Sequence, residues 1–224
     1  MNLAYLDLLN SIEFKENIIN ILVIENKKLF REMIQQFTHS LVGLESKWVL
    51  SDNGKLIGLN KVAIMIHDPL NIDLNERKIL DGLYNEMATV ALNGSHYMET
   101  TEIRNSLTAY VNNIIHDMEH SFLEINDMSL PNLFKLLGVH FEDYDGGPLE
   151  KISSYAYLCS IFKKCKIVAF VNLKTYFSDE ELIRFYKDME YKKIMVLLIE
   201  NREFPELPNE KITVIDSDLC VVKC

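Results

Sequence analysis

One short pattern in the sequence is typical of metal chemistry: His116-Asp117-Met118-Glu119-His120. On a continuous helix, H-x-x-E-H places two histidines one turn apart, where they can share a zinc ion while the glutamate activates a water molecule. The same letters also describe an ordinary polar helix end, and no third ligand on a partner helix is evident. A zinc-dependent hydrolase is therefore the alternative function to be tested.

Acidic residues are concentrated in the region that follows this pattern. They are Asp117, Glu119, Glu124, Asp127, Glu142, Asp143 and Asp145. Carboxylate oxygens suit Ca²⁺, which takes about six to eight oxygen ligands, better than they suit zinc. An EF-hand is excluded, because a loop that begins at Asp143 has Ser154 where that loop needs its final glutamate. The segment is either a solvated acidic loop or a calcium site.

The strand-to-helix turns lack a sequence that binds phosphate. The first apolar run is followed by Glu25-Asn26-Lys27-Lys28, which has no glycine, and G-x-x-x-x-G-K-[ST] occurs nowhere in the chain. Glu25 would also repel a phosphate at a helix N-terminus. Asp68 ends an apolar run, as a magnesium-binding carboxylate does in ATPases, but without a phosphate loop we interpret it as a turn residue. The sequence predicts no nucleotide hydrolysis.

Basic residues form three short groups: Lys27, Lys28 and Arg31; Lys163, Lys164 and Lys166; Lys192 and Lys193. Each group alone is typical of a solvent-facing helix end. The formal net charge is −10, so a DNA-binding function requires the basic groups to be concentrated on one surface. Neither a recognition helix nor an aromatic stacking platform accompanies them, and any DNA contact would therefore be to the backbone.

Alternating strands and helices must position these residues. The continuous apolar runs Ile167–Val171 and 194–199 predict parallel, neighbouring strands that are buried on both faces. Between them Ser178 and Glu181 have capping-box spacing, which predicts a helix start. Residues 18–24 and 62–66 predict two further buried strands. The expected fold class is α/β with a mostly parallel sheet.

Other segments complete the prediction. Residues 74–118 contain no strand-like run and two helical patterns separated near Gly94, which predicts a helical hairpin that either projects from the sheet or covers it. Asp52-Asn53-Gly54 predicts a β-hairpin. Residues 139–141 are predicted as a short strand, and residues 212–215 and 219–222 as edge strands.

Composition restricts the class of protein. Hydrophobic residues make up 48% of the 224 residues, which excludes general disorder, and no apolar run approaches the roughly 18 residues of a membrane span. The sequence starts without a basic segment typical of secretion signals. The four cysteines form no C-x-x-C pair. We expect a cytoplasmic protein with reduced cysteines and no membrane contact.

Three stretches carry a resemblance to a known family: INILVIENKKLFREMIQQF at 19–37, LEINDMSLPNLFKLLGVHFED at 123–143, and residues 166–204. In this order they resemble the CRISPR-associated Csn2 family, the accessory proteins of type II-A systems. The resemblance implies a head domain, residues 1–70 and 138–224, whose sheet is similar to that of P-loop ATPases without the phosphate loop. Residues 71–137 would form an α-helical leg.

The resemblance also implies a function. Similar proteins are non-enzymatic homotetrameric rings that bind Ca²⁺ and hold linear double-stranded DNA through the ring, as DNA (end) binding proteins without sequence preference. They act in CRISPR spacer acquisition, an antiviral defence, alongside the CRISPR integrase pair and the RNA-guided effector nuclease. Carried over by position, the calcium ligands are Glu124 and Asp127, with Glu119 and Glu142 as weaker candidates, and the DNA-binding residues are Lys27, Lys28, Lys61 and Lys135. The remaining alternatives are the zinc hydrolase and a simple α/β interaction module.

Overall fold

The structure is a computed structural model that describes residues 1–6, 8–118, 122–142 and 146–223. The strands of this part of the chain are β1 (Asn2–Tyr5), β2 (Leu9–Glu13), β3 (Ile19–Ile24), β4 (Trp48–Asp52), β5 (Lys55–Ile57), β6 (Ala63–Ile66), β7 (Ile167–Val171), β8 (Met195–Glu200), β9 (Glu210–Ile215) and β10 (Val221–Lys223). Its helices are α1 (Lys27–Leu41), α2 (Arg77–Ala91), α3 (Tyr97–Asp117), α4 (Leu130–Leu136), α5 (Pro148–Phe162) and α6 (Asp179–Tyr191). The predicted fold class is confirmed.

The larger sheet has the strand order β10-β9-β3-β8-β7-β6. Its strands are parallel except β10, which runs antiparallel to β9. Strands β3 and β7 are buried along their whole length, as expected for apolar runs covered on both faces. One prediction was wrong: β9 is not an edge strand, because it pairs with both β3 and β10.

The helix between β7 and β8 forms as its sequence predicts. Ser178 accepts a hydrogen bond from the backbone N–H of Glu181, and the Glu181 carboxylate accepts from the Ser178 N–H at 2.8 Å, which closes the capping box. The apolar residues Leu182, Phe185, Tyr186 and Met189 are all buried. Helix α6 therefore completes the βαβ unit predicted from the sequence.

A second, antiparallel sheet was not predicted, and its order is β2-β1-β4-β5. Its hairpin at Asn53-Gly54 was predicted, and both residues have positive φ, 48° and 77°. The sequence analysis did not predict β1 and β2. Their buried residues alternate with less buried ones, but such alternation is a weak signal for a strand of only four or five residues; the buried residues are Leu3, Tyr5, Ile12 and Phe14. The Trp48 indole donates to the Met33 carbonyl at 2.8 Å and joins this sheet to α1.

The chain divides into two compact units, and the second is Asn75–Asp143. It contains α2, α3 and α4 and, within the described residues, no strand. The predicted strand at 139–141 is absent, because side chains of this unit bind its backbone instead. The Tyr84 hydroxyl donates to the Val139 carbonyl at 2.8 Å, and Asn75 exchanges two hydrogen bonds with the Phe141 backbone at 2.8 and 2.9 Å.

Across the described residues, none of the helices combines the length and the apolar character needed to span a bilayer.

Candidate nucleic-acid interface

α/β nucleotide-binding proteins bind phosphate in the turn after the first strand of the sheet. In the turn after β3 of this chain, the Asn26 side chain occupies the N–H groups that would do so. The Asn26 Oδ1 atom accepts hydrogen bonds from the backbone N–H groups of Lys28 and Leu29, both at 3.1 Å. Its Nδ2 atom donates to the Ser217 carbonyl at 3.1 Å. The helix N–H groups that would meet a phosphate are therefore already bound, in agreement with the missing phosphate loop.

Asp68 behaves as the turn residue that the sequence predicts. Its Oδ1 atom accepts from the Leu70 N–H at 3.1 Å, the local geometry of an Asx turn.

The zinc pattern does not lie on a continuous helix. Helix α3 ends at Asp117, and Met118 is extended, with φ −90° and ψ 144°. His116 is exposed, and Glu119 and His120 lie outside the described residues. Because H-x-x-E-H needs one more helical turn beyond His116, the described chain does not provide the geometry of a zinc hydrolase.

Three of the four predicted calcium ligands are described, and the fourth, Glu119, is not. Glu124, Asp127 and Glu142 are exposed and belong to the second unit, in segments without helix or strand. Among the described residues no three acidic, histidine or cysteine side chains converge on one point. Their oxygen chemistry suits calcium, but the described residues do not form the site of six to eight ligands that calcium needs.

The four predicted DNA-binding lysines are exposed, and the three that lie in the first unit do not form one surface. Lys27 and Lys28 lie in the first turn of α1, beyond the carboxyl end of β3. Lys61 ends a short 3₁₀ turn directly before β6 and lies at the amino end of the parallel strands. Lys135 is in α4, in the second unit. The structure therefore separates Lys61 from Lys27 and Lys28 by the length of the sheet.

Lysines do concentrate at the amino ends of the parallel strands. Four exposed residues, which we call the amino-end lysines, lie within about three residues of the starts of β6, β7 and β8: Lys61, Lys164, Lys166 and Lys193. These strands are direct neighbours in the sheet, in the order β8-β7-β6. Because parallel strands begin at the same edge, lysines that are about a hundred residues apart in sequence lie along one edge of the head.

Backbone hydrogen bonds hold the connections that carry these lysines side by side. The Lys166 N–H donates to the Val62 carbonyl at 2.7 Å, and the Met195 N–H donates to the Lys166 carbonyl at 2.9 Å. Neighbouring strands are about 4.8 Å apart, so the three strand starts extend over about 10 Å. Duplex DNA presents about six phosphates over that length of its axis.

Two neighbouring lysines are engaged with side chains of the head. Lys163 donates to the Tyr155 hydroxyl at 3.4 Å. Lys192 donates to Asp188 and to Ser153, each at 2.7 Å, and thereby joins α6 to α5. Although burial opposes it, hydrogen bonds from Lys192 and Ser153 hold the pKa of Asp188 below its usual range. The Ser153–Lys192 contact is therefore part of an ion pair and not a serine–lysine catalytic pair.

A buried polar cluster centred on Lys174, which follows the carboxyl end of β7, extends across the sheet to Glu210, the first residue of β9. The Lys174 ammonium donates to both Glu210 oxygens, at 2.8 and 2.9 Å, and to the Pro205 carbonyl at 3.0 Å. The Tyr186 hydroxyl donates to Glu210 at 2.7 Å. Burial, together with the Glu210 carboxylate, raises the pKa of Tyr186, which stays neutral.

Glu200 is a second buried carboxyl in this cluster, at the end of β8. Its Oε1 atom accepts from the Lys174 N–H at 3.0 Å, and its Oε2 atom has no hydrogen-bond partner among the described residues. Burial raises the pKa of Glu200 to about 7. The sequence analysis missed this cluster, and the only signal for it was a glutamate that ends an apolar strand.

Comparisons with known sequences identify the family. The family model described as "CRISPR-associated protein (Cas_Csn2)" matches residues 42–219. A CRISPR-associated protein Csn2 of Streptococcus agalactiae is 23% identical over 208 residues, which cover 90% of this chain and 89% of the relative.

A solved structure, the ADP conformation of MJ1267, an ATP-binding cassette of an ABC transporter, aligns with a TM-score of 0.46 and 11% identity over 95% of this chain and 85% of that chain. Because the family model matches most of the sequence, the chain belongs to the CRISPR-associated Csn2 family.

Proposed function

We propose that this protein is a non-enzymatic, sequence-independent double-stranded DNA-binding protein that acts at DNA ends during CRISPR spacer acquisition. The observation that carries the proposal is the edge formed by the amino-end lysines Lys61, Lys164, Lys166 and Lys193. Aligned cations without stacking aromatics or a recognition helix suit contact with phosphates and not with bases. The partners inferred from the family are the CRISPR integrase pair and the RNA-guided effector nuclease.

The overall negative charge requires several copies to act together. With a net charge of −10, one chain repels DNA except at its basic edge. A ring of identical subunits would bring the same edge to one duplex several times, and the linked contacts would act cooperatively. This argument supports the homotetramer proposed from the family.

Helix α3 has a surface suited to such assembly. Ile103, Leu107, Tyr110 and Ile114 follow one another at spacings of four, three and four residues, and 40–63% of each side chain is exposed. This spacing is the heptad pattern of helices that pack against another helix. Since these four residues stay 40–63% exposed in the described chain, we propose that α3 of another copy covers them.

The experiment that tests the proposal breaks this stripe. We expect the double substitution Leu107→Glu and Ile114→Glu to convert the assembly into monomers and to weaken binding of linear duplex DNA at least tenfold, because separate subunits bind the duplex without linkage. Light scattering measures the mass, and gel shift on linear and closed circular duplex measures the binding.

The matched control is Asn105→Glu with Asn112→Glu, which adds the same charge to exposed positions off the stripe. Wild-type protein that is monomeric, or that ignores linear duplex at low salt, would contradict the proposed function.

Calcium dependence is a separate prediction, drawn from the family. We expect EGTA to lower the melting temperature by about 5–10 °C and to weaken DNA retention, because calcium at about 100 times its Kd adds about 2.7 kcal/mol to folding stability. Thermal melts with EGTA and with calcium restored measure the effect.

Substitution of Glu124→Gln together with Asp127→Asn should abolish this response, whereas Glu102→Gln, at an exposed acid on α3, should preserve it. A melting temperature that does not respond to EGTA would contradict the calcium proposal.

A further inference from the structure

Two of the amino-end lysines have an unusual backbone conformation. Lys164 and Lys193 are each the first residue after the C-cap of a helix, α5 and α6 respectively, and their φ angles are +57° and +56°. After α6, the Lys193 N–H donates to the Glu190 carbonyl at 3.0 Å and the Ile194 N–H to the Met189 carbonyl at 2.9 Å. This is the Schellman ending, in which the residue at this position must be left-handed.

Two other helices of the same chain end in the same way with glycine. Gly43 follows the C-cap of α1 with φ +79°, and Gly138 follows that of α4 with φ +70°. Glycine has no Cβ, so it adopts this conformation without the steric penalty that a lysine meets. The remaining non-glycine residues with positive φ in the described chain are asparagines, which tolerate it, and Leu219.

The two strained positions share a location as well as a conformation. Each one begins the connection into a parallel strand, β7 or β8, and the two strands are neighbours. Both lysines are exposed at the edge shared with Lys61 and Lys166. The unfavourable residue therefore occurs twice on the same surface, whereas glycine holds the equivalent position after α1 and α4.

We propose that Lys164 and Lys193 bind the phosphate backbone of duplex DNA, and that lysine is kept at these two left-handed positions for binding at the expense of stability. The inference rests on the proposed function and adds the residues and the edge of the sheet that carry it. Both side chains are exposed in the short connection between a helix and a strand, where a polyanion has access.

The surrounding charge predicts which of the two contributes more. Residues 58–63 and 161–167, which flank Lys61, Lys164 and Lys166 in the sequence, contain no acid. Lys193, in contrast, lines a groove with two acids, Glu16 and Glu190, and one other lysine, Lys15, which itself pairs with Glu13. Because nearby carboxylates weaken the attraction of a lysine for phosphate, we expect Lys164 to contribute more than Lys193.

The test compares three substitutions at both positions in the full-length protein. We expect Lys164→Gly with Lys193→Gly to raise the melting temperature by about 2–4 °C per site and to weaken binding of a linear duplex about 25-fold in total, with the larger share from Lys164. The slope of log K against log salt should fall by about 0.9 for each phosphate that the variant no longer neutralises. Thermal melts and fluorescence anisotropy of a labelled duplex at several salt concentrations provide these values.

The other substitutions separate charge from backbone conformation. Lys164→Gln with Lys193→Gln should weaken DNA binding equally without the gain in melting temperature, and arginine at both positions should leave both quantities near wild type. Lys187→Gln, at an exposed lysine within α6, is the control that should change neither.

Two results would overturn the inference. If the glycine variant binds DNA as tightly as wild type, the lysines do not bind phosphates. If the glutamine variant gains as much melting temperature as the glycine variant, charge repulsion and not backbone conformation is the source of the stability cost. Failure of the wild-type protein to bind any duplex would instead reject the proposed function itself. DNA binding by the wild-type protein therefore distinguishes failure of the proposed function from failure of this inference.

Discussion

Replacing Lys174 by methionine is expected to lower the free energy of unfolding by about 3–5 kcal/mol. The Lys174–Glu210 ion pair is fully buried, with 2% and 0% of the two side chains exposed. Removing the ammonium leaves the Glu210 carboxylate without its counter-ion in a region that water does not reach, and Glu200 lies in the same cluster. An uncompensated buried charge costs far more than the ion pair contributes while it is intact.

Urea unfolding followed by circular dichroism measures this effect. Lys187→Met is the matched control, since Lys187 is exposed on α6 and should change stability by less than about 0.5 kcal/mol. The double substitution Lys174→Met with Glu210→Gln should recover part of the loss, because it removes the orphaned charge. A single variant that loses less than about 1 kcal/mol would show that water reaches this cluster.

The second large effect is a pH dependence that originates at Glu200. Burial raises the pKa of this carboxyl from 4.5 to about 7, so the folded protein binds a proton there that the unfolded chain releases at lower pH. Stability from this group is therefore fully present below about pH 4.5 and is lost as the pH rises to about 7 and above. Over about 2.5 pH units, at about 1.4 kcal/mol each, the loss is about 3 kcal/mol.

Glu200→Gln should remove this dependence. Its amide oxygen can still accept from the Lys174 N–H, and it carries no charge at any pH. We expect the variant to be more stable than wild type at pH 8 and close to wild type at pH 5, as measured by urea unfolding at a series of pH values. Glu203→Gln, at an exposed acid a few residues further along, is the control. Parallel pH profiles for Glu200→Gln and wild type would contradict the assignment.

The two ends of the parallel sheet have different chemistry. At the carboxyl end, where open α/β sheets usually bind nucleotides, lie the buried Lys174 and Glu200 and the Asn26-capped start of α1. The amino end instead presents exposed lysines to solvent. The exposed lysines on which the proposed DNA binding rests therefore lie at the end of the sheet opposite the usual nucleotide site.

Local sequence signals were sufficient for much of the fold. Apolar runs such as Ile167–Val171 identified the buried strands, and Ser178 with Glu181 identified a helix start, because burial pattern and capping depend on residues close in sequence. The strands β1 and β2 were missed because they are short, and the strand predicted at 139–141 is absent because Tyr84 and Asn75 bind that backbone from a distance in sequence. The predicted calcium ligands and DNA-binding residues remain predictions.

The sequence by itself determined the α/β class, the absence of a phosphate loop, and the presence of short lysine groups, since each depends on residue type and local spacing. Only the tertiary structure decided that Lys61, Lys164, Lys166 and Lys193 share one edge, because that depends on which strands are neighbours. It also decided that Lys174, Glu200 and Glu210 meet in one buried cluster, since burial of a charge depends on packing between segments far apart in the chain.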